Sequence, residues 1–313
     1  MENPIFENAK PFSKLFFLIF IIFSSLLIVL IFSLLISIPV FGIEFGNLNS
    51  FLDIRNPDNL GFMKFMQIMQ SISIFIIPPI IAAYIFSKNF REFLFINKKL
   101  NFVNILSVVL IIILSIPIIN LFAEINSSLK LPQSLLWLEN YMKSAEESAK
   151  ETTELFLNVK TVPGLLLNLF MVALIPAIGE ELLFRGILLK LFADWTKNFH
   201  VAIIISAFIF SFIHFQFYGF LPRLLMGILF GYFVFWSKNL WLSMIAHFVN
   251  NAIGVIVFFI YFGMPEMDKI EKAGVNYGEY TLLPISFLIA GLLIYIFYKN
   301  NKKIEINSVE QKS

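Results

Sequence analysis

Residues 176–186 read PAIGEELLFRG, where two adjacent carboxylates, Glu180 and Glu181, and the guanidinium of Arg185 interrupt an apolar run. The flanks, 162–175 and 187–192, are apolar enough to make the whole stretch one membrane-spanning helix. Formal charges inside such a helix are costly and are kept where they do chemistry, so the stretch is read as a functional site and not as a solvated face. At about 100° per residue, Glu180 and Glu181 point to different faces. Glu181 and Arg185 are four residues apart, share a face and can pair. Glu180 is then left without a local cation and suits the role of a general base that takes a proton from water. Pro176 withholds a backbone donor just ahead of the motif, which predicts a kink there. Gly179 and Gly186 let a neighbouring helix come close.

The composition agrees with a membrane setting. Of 313 residues, 58% are hydrophobic and 14% charged, which excludes an ordinary soluble domain; the mean hydropathy is +0.83. The 39 Phe residues suit lipid-facing surfaces as well as packed seams. A net charge of +2, without a basic cluster interleaved with aromatics, argues against a nucleic-acid partner. The chain has no cysteine, which removes thiol nucleophiles, Cys-ligated metals and disulfides together.

Apolar runs at 15–41, 68–87, 102–122, 162–191, 201–217, 223–236, 241–262 and 282–297 predict an all-α, polytopic transmembrane bundle of about eight spans. The first run, roughly 27 residues or about 40 Å as helix, exceeds a signal-peptide core and is read as a retained span. Pro78-Pro79 and Pro117 mark breaks or kinks in the second and third. Residues 124–160 form the long polar segment, read as one or two helices along the membrane surface that either gate the site or merely connect spans. Lys88, Arg91, Lys98 and Lys99 against Glu92 place their loop on the cytoplasmic side, which puts both termini there. Three regions follow: 1–160 with three spans and the outer loop, 161–262 as catalytic core, and 263–313 with an outer loop, the last span and a tail.

Two further polar clusters fall in later spans. His214 closes FIFSFIH, and His247 and Asn251 stand four residues apart on one helix face. Glu180 and His214 would orient and deprotonate a water that attacks a peptide carbonyl. His247 and Asn251 would donate hydrogen bonds to the oxyanion, each worth about 3 to 4 kcal/mol. Spacing does not say which histidine serves the water. His200 lies in a link and receives no role. The preferred reading uses no cofactor. The alternative is a zinc ion on Glu180, His214 and His247 with water in the open position, although no HExxH signature occurs. Counted from the predicted span ends, Glu180 and His214 differ in depth by several Å at about 1.5 Å per residue, which asks for tilt, kinks or later helix starts.

The pattern EExxxR at Glu180, Glu181 and Arg185, FxxxH at Phe210 and His214, and HxxxN at His247 and Asn251, in this order, resembles the CPBP family. These are intramembrane proteases that include the CAAX prenyl endoproteases and the bacteriocin-processing and self-immunity (Abi) proteins. The resemblance implies an eight-helix, CAAX-protease-like fold and a glutamate-type hydrolysis in which the first Glu and first His activate water. The second His and the Asn then hold the oxyanion, while Glu181 and Arg185 support the site. The family has also carried a metalloprotease label. The expected setting is the bacterial inner membrane, with membrane lipid around the chain and a peptide or membrane-protein substrate, prenylated or not.

Other classes fit less well. No GxSG serine motif occurs, and Asp53, Asp58, Asp194 and Asp268 include no GxGD setting. A proton-coupled transporter would also bury Glu and His, but inverted repeats with paired broken helices are not seen. A non-enzymatic immunity or scaffold protein is the third possibility, one that would tolerate loss of Glu180.

Overall fold

The structure, a computed structural model, describes residues 4–43, 53, 56–275 and 281–310. Eleven helices carry the architecture of the described residues: α1 (Pro11–Phe41), α2 (Leu60–Phe86), α3 (Phe102–Leu114), α4 (Ile116–Ser128), α5 (Leu136–Leu157), α6 (Val162–Thr196), α7 (Phe199–Phe212), α8 (Phe220–Ser237), α9 (Leu240–Tyr261), α10 (Pro265–Glu271) and α11 (Leu282–Glu310). The chain is an integral membrane protein built as a polytopic helical bundle. Six helices, α1, α2, α6, α8 (from Phe217), α9 and α11 (to Lys302), are long and apolar enough to cross a membrane. The pair α3–α4, bent by 42°, makes a seventh if it counts as one span.

The eighth expected span, α7, has 14 residues. At 1.5 Å per residue it is about 21 Å long, short of a hydrocarbon core of roughly 30 Å. Asn198 starts it by accepting from the backbone N–H groups of His200 and Val201. The chain leaves it at His214 and passes through Phe215 with φ +52°. It then makes one 3-10 turn at Phe217–Gly219 before α8 begins. A short α7 thus stops His214 at a helix end inside the bundle, which reduces the depth mismatch expected from unbroken spans.

Prolines are accommodated by widened turns. A π-helical turn at Ile72–Ile76 precedes Pro78, and another at Leu169–Leu174 precedes Pro176. Proline cannot donate to the i−4 carbonyl and collides with it, and a π turn relieves both problems locally. The interruption predicted at Pro176 is therefore a bulge within the continuous helix α6. A third π turn, Leu182–Leu188, contains Arg185. The bend between α3 and α4 has the same origin, since Pro117 stands in the first turn of α4.

The two larger of three core patches among the described residues meet at α8 and α9. One joins α2, α6 and α7 through Phe86, Leu183, Ile187, Ile203 and Phe210. The other joins α3, α8, α9 and α11 through Ile111, Phe230, Phe233, Leu242 and Phe297. Helices α7 and α8 touch almost backbone to backbone. A Cβ on Gly227 would lie 3.0 Å from the Ala207 Cβ, and one on Gly231 would lie 2.9 Å from Ile203. By contrast α1 turns Phe16, Phe20 and Phe23 outward, as a lipid-facing helix does. Lys64, expected in a loop, is buried within α2 and donates to Asn168 Oδ1 of α6 at 2.9 Å.

Candidate active site

Helix α6 brings the two adjacent carboxylates to the centre of the bundle. The close approach that Gly179 allows is made by α2, where a Cβ on Gly179 would fall 2.7 Å from the Phe75 Cβ. Glu181 is fully buried, and its oxygens are all used. Oε1 accepts from Arg185 Nη1 at 2.7 Å and from His247 Nδ1 at 3.0 Å. Oε2 accepts from the hydroxyl of Ser243. Arg185, 1% exposed, donates its other Nη to the backbone carbonyl of Gly227 at 2.9 Å. Its guanidinium also lies 4.7 Å from the centre of the Phe210 ring and 5.5 Å from that of Phe230. Charge, hydrogen bonds and aromatic faces therefore satisfy this cation in place of water.

Glu180 is arranged differently. Among the described residues its carboxylate accepts no hydrogen bond, and the basic side chain within ion-pair distance of it is His247, with Nε2 at 3.8 Å. It borders a cavity of about 540 Å³ that His214, His247 and Asn251 also line. Those four side chains come from α6, the end of α7 and α9. His247 thus stands between the two carboxylates, held by Glu181 through Nδ1 and facing Glu180 with Nε2.

The tautomers follow from the partners. A carbonyl oxygen only accepts, so His214 Nδ1, 2.7 Å from Phe210 O, carries a proton, and in the neutral ring its Nε2 keeps a lone pair. His247 donates its Nδ1–H to Glu181 Oε1, so its Nε2 donates only when the ring is doubly protonated. Asn251 donates one amide hydrogen to Val172 O at 3.2 Å and accepts from Asn250 Nδ2 at 3.1 Å, which leaves it a second N–H. Among the described residues no three His, Asp or Glu side chains are gathered closely enough to hold a metal ion, so Glu180, His214 and His247 do not form a ligand set in this geometry.

Three contributors carry no signal of their own in the sequence pattern. Ser243 lies one turn before His247 on the same face of α9, and the i, i+4 spacing that links His247 to Asn251 extends back to it. Asn250 orients Asn251. Arg223, at the start of α8, lines the cavity. From the polar segment, read as a surface helix or a connector, α5 supplies Thr152, Thr153 and Phe156 to the same wall. His200 is remote from it, with Nδ1 3.0 Å from the Tyr232 hydroxyl.

Residues 162–253 match the family model described as Type II CAAX prenyl endopeptidase Rce1-like. No curated protein and no solved structure matches the chain. The matched stretch begins at the start of α6 and contains EExxxR, FxxxH and HxxxN in full. Over that stretch, under a third of the chain, the protein is similar to the type II CAAX prenyl endopeptidases.

Proposed function

We propose that the protein hydrolyses a peptide bond at or within the membrane by carboxylate-activated water, with no metal required. The observation that carries this reading is the shared cavity: Glu180, unbonded and next to His247, opens onto the same space as His214 and Asn251. Glu180 takes a proton from water whose other hydrogen is held by the free Nε2 of His214. The resulting hydroxide attacks the carbonyl carbon. Doubly protonated His247 and the spare N–H of Asn251 donate to the oxygen as it becomes negative. Glu180 then returns its proton to the departing amine, the C–N bond breaks, and the carboxylate is regenerated. Glu181, Arg185 and Ser243 hold His247 in place and touch no substrate.

The region 161–262 is the catalytic core in this reading, while 1–160 closes the cavity through Gln67, Ile119 and Phe156. Region 263–313 packs α11 against α3 through Asn104 and Asn301. The substrate is a membrane-associated peptide or protein, prenylated or not. The charge of loop 88–99 supports a cytoplasmic position for that loop and both termini, in a bacterial inner membrane.

The test is cleavage of a panel of lipidated and unlipidated membrane peptides by purified, reconstituted protein. Wild type is compared with Glu180→Ala and with protein stripped of metal by chelation. Loss of cleavage in Glu180→Ala, with chelation leaving the rate unchanged, is the expected result. Equal cleavage by Glu180→Ala ends the assignment, and a rate restored only by zinc replaces the metal-free mechanism.

A further inference from the structure

Arg223 is a cation that the hydrolysis above does not use. It stands in the first turn of α8, inside a candidate span, and lines the cavity with Glu180, His214 and Asn251. It also lines an adjoining, mainly apolar cavity of about 620 Å³. Among the described residues no carboxylate lies within the 4.0 Å that defines an ion pair with it. Glu146 and Glu180 act on it only from farther away.

What holds Arg223 is neutral. Gln216 accepts twice, through Oε1 from Nη1 at 2.7 Å and through its backbone carbonyl from Nη2. Nε–H is buried and has no partner among the described residues. Gly219 makes room for the group, since a Cβ there would lie 2.7 Å from Nη1 and 2.8 Å from Cζ. The turn that carries Gln216 and Gly219 is itself fastened. Asn126 donates to Phe217 O and accepts from Leu221 N, and Ser211 donates to Phe220 O. The result is a positioned guanidinium with its positive charge uncompensated at bonding distance, facing the space where a substrate would lie. Inside a membrane protein such a charge is costly and calls for an anion.

We propose that Arg223 is a specificity-determining residue that receives a carboxylate of the peptide substrate, either the chain terminus or an acidic side chain. Planar, two-pronged recognition of a carboxylate is what a guanidinium does better than an ammonium. The proposal rests on the protease reading of the same cavity.

The test uses three versions of the fastest-cleaved membrane peptide: a free C-terminal carboxylate, a C-terminal amide, and the amide with one glutamate near its end. Wild-type protein should favour a carboxylate-bearing form over the plain amide by about tenfold or more in kcat/KM, mostly through KM, the scale of a charge-assisted hydrogen bond. The favoured form names the source of the carboxylate. In Arg223→Gln the ratio should fall towards one, and Arg223→Lys should keep part of it. If Arg223→Gln does not fold, Gln216→Ala, which frees the guanidinium without removing its charge, should still reduce the ratio.

Wild type that treats all three peptides alike overturns the proposal, as does an Arg223→Gln ratio equal to that of wild type. An equal fall in kcat on all three assigns Arg223 to the oxyanion and likewise overturns it. If wild type cleaves none, the protease reading fails by itself. Binding of the acid and amide peptides to wild type and Arg223→Gln then decides the carboxylate claim, with an acid preference lost in the variant supporting it and no preference overturning it.

Discussion

Ser243 donates its hydroxyl to Glu181 from one turn before His247 on the same helix. Removing that donor leaves a fully buried carboxylate oxygen without a partner, at a cost of about 1 to 3 kcal/mol. Ser243→Ala should therefore lower the thermal midpoint of the purified protein. Because Glu181 also positions His247, cleavage should fall as well, and in kcat more than in KM. A variant with wild-type stability and rate would show that the serine is incidental.

Adjacent glutamates are expected to fail in opposite ways. Glu180→Gln removes a carboxylate that no described side chain relies on for a hydrogen bond, so it should abolish cleavage while the protein elutes and melts like wild type. Glu181→Gln leaves the buried guanidinium of Arg185 without its ion-pair partner, a change that costs about 3 to 5 kcal/mol in buried pairs. Size-exclusion profiles and melting curves of the two variants, measured side by side, distinguish these outcomes from a shared catalytic role.

The contact between α7 and α8 predicts a steric effect at a distance from the chemistry. Gly227→Ala would set a methyl 3.0 Å from the Ala207 Cβ, 3.2 Å from its Cα and 3.3 Å from Arg185 Nη2. Part of this clash is with backbone, so the helices must separate, at about 1 to 3 kcal/mol for an overpacked site. The same carbonyl that Arg185 uses would shift with α8. Melting temperature and cleavage should fall together, and Gly254→Ala, where the added methyl meets nothing within 4 Å, serves as the control.

Asn251 and Asn250 should separate by magnitude. If the spare N–H of Asn251 meets the oxyanion, Asn251→Ala lowers kcat by about 10²- to 10³-fold, the usual cost of one such donor. Asn250→Ala only loosens the amide of its neighbour and should cost roughly tenfold or less, a difference of about 1.4 kcal/mol per decade. Steady-state kinetics on one peptide check both, and equal losses would remove the special role of Asn251.

Much of the site can be read from sequence because charge in an apolar helix is conspicuous and helical spacing is regular. The pairing of Glu181 with Arg185 and the shared face of His247 and Asn251 follow from i, i+4 geometry alone. Ser243 obeys the same spacing, but serine is so ordinary in membrane helices that only its bond to Glu181 singles it out. Arg223 stands at the first residue of the apolar run 223–236, and hydropathy locates the end of a run without showing what it folds against. Widened turns at Ile72–Ile76 and Leu169–Leu174 have no residue signature beyond the prolines that follow them. The shortness of α7 is not legible either, since Ile213 and the aromatics Phe215 and Phe217 carry the apolar run past the last helical residue, and hydropathy does not register where hydrogen bonding stops.

Glu146 of α5 accepts the backbone N–H of Tyr218 at 3.0 Å, in the turn that ends on one side at Gln216 and on the other at the start of α8. The α5 wall of the cavity and the grip on Arg223 are consequently stitched to the same few residues. If a peptide enters under α5 as the proposed function implies, displacing that helix would also pull on the turn that holds the guanidinium, and entry would be coupled to anchoring.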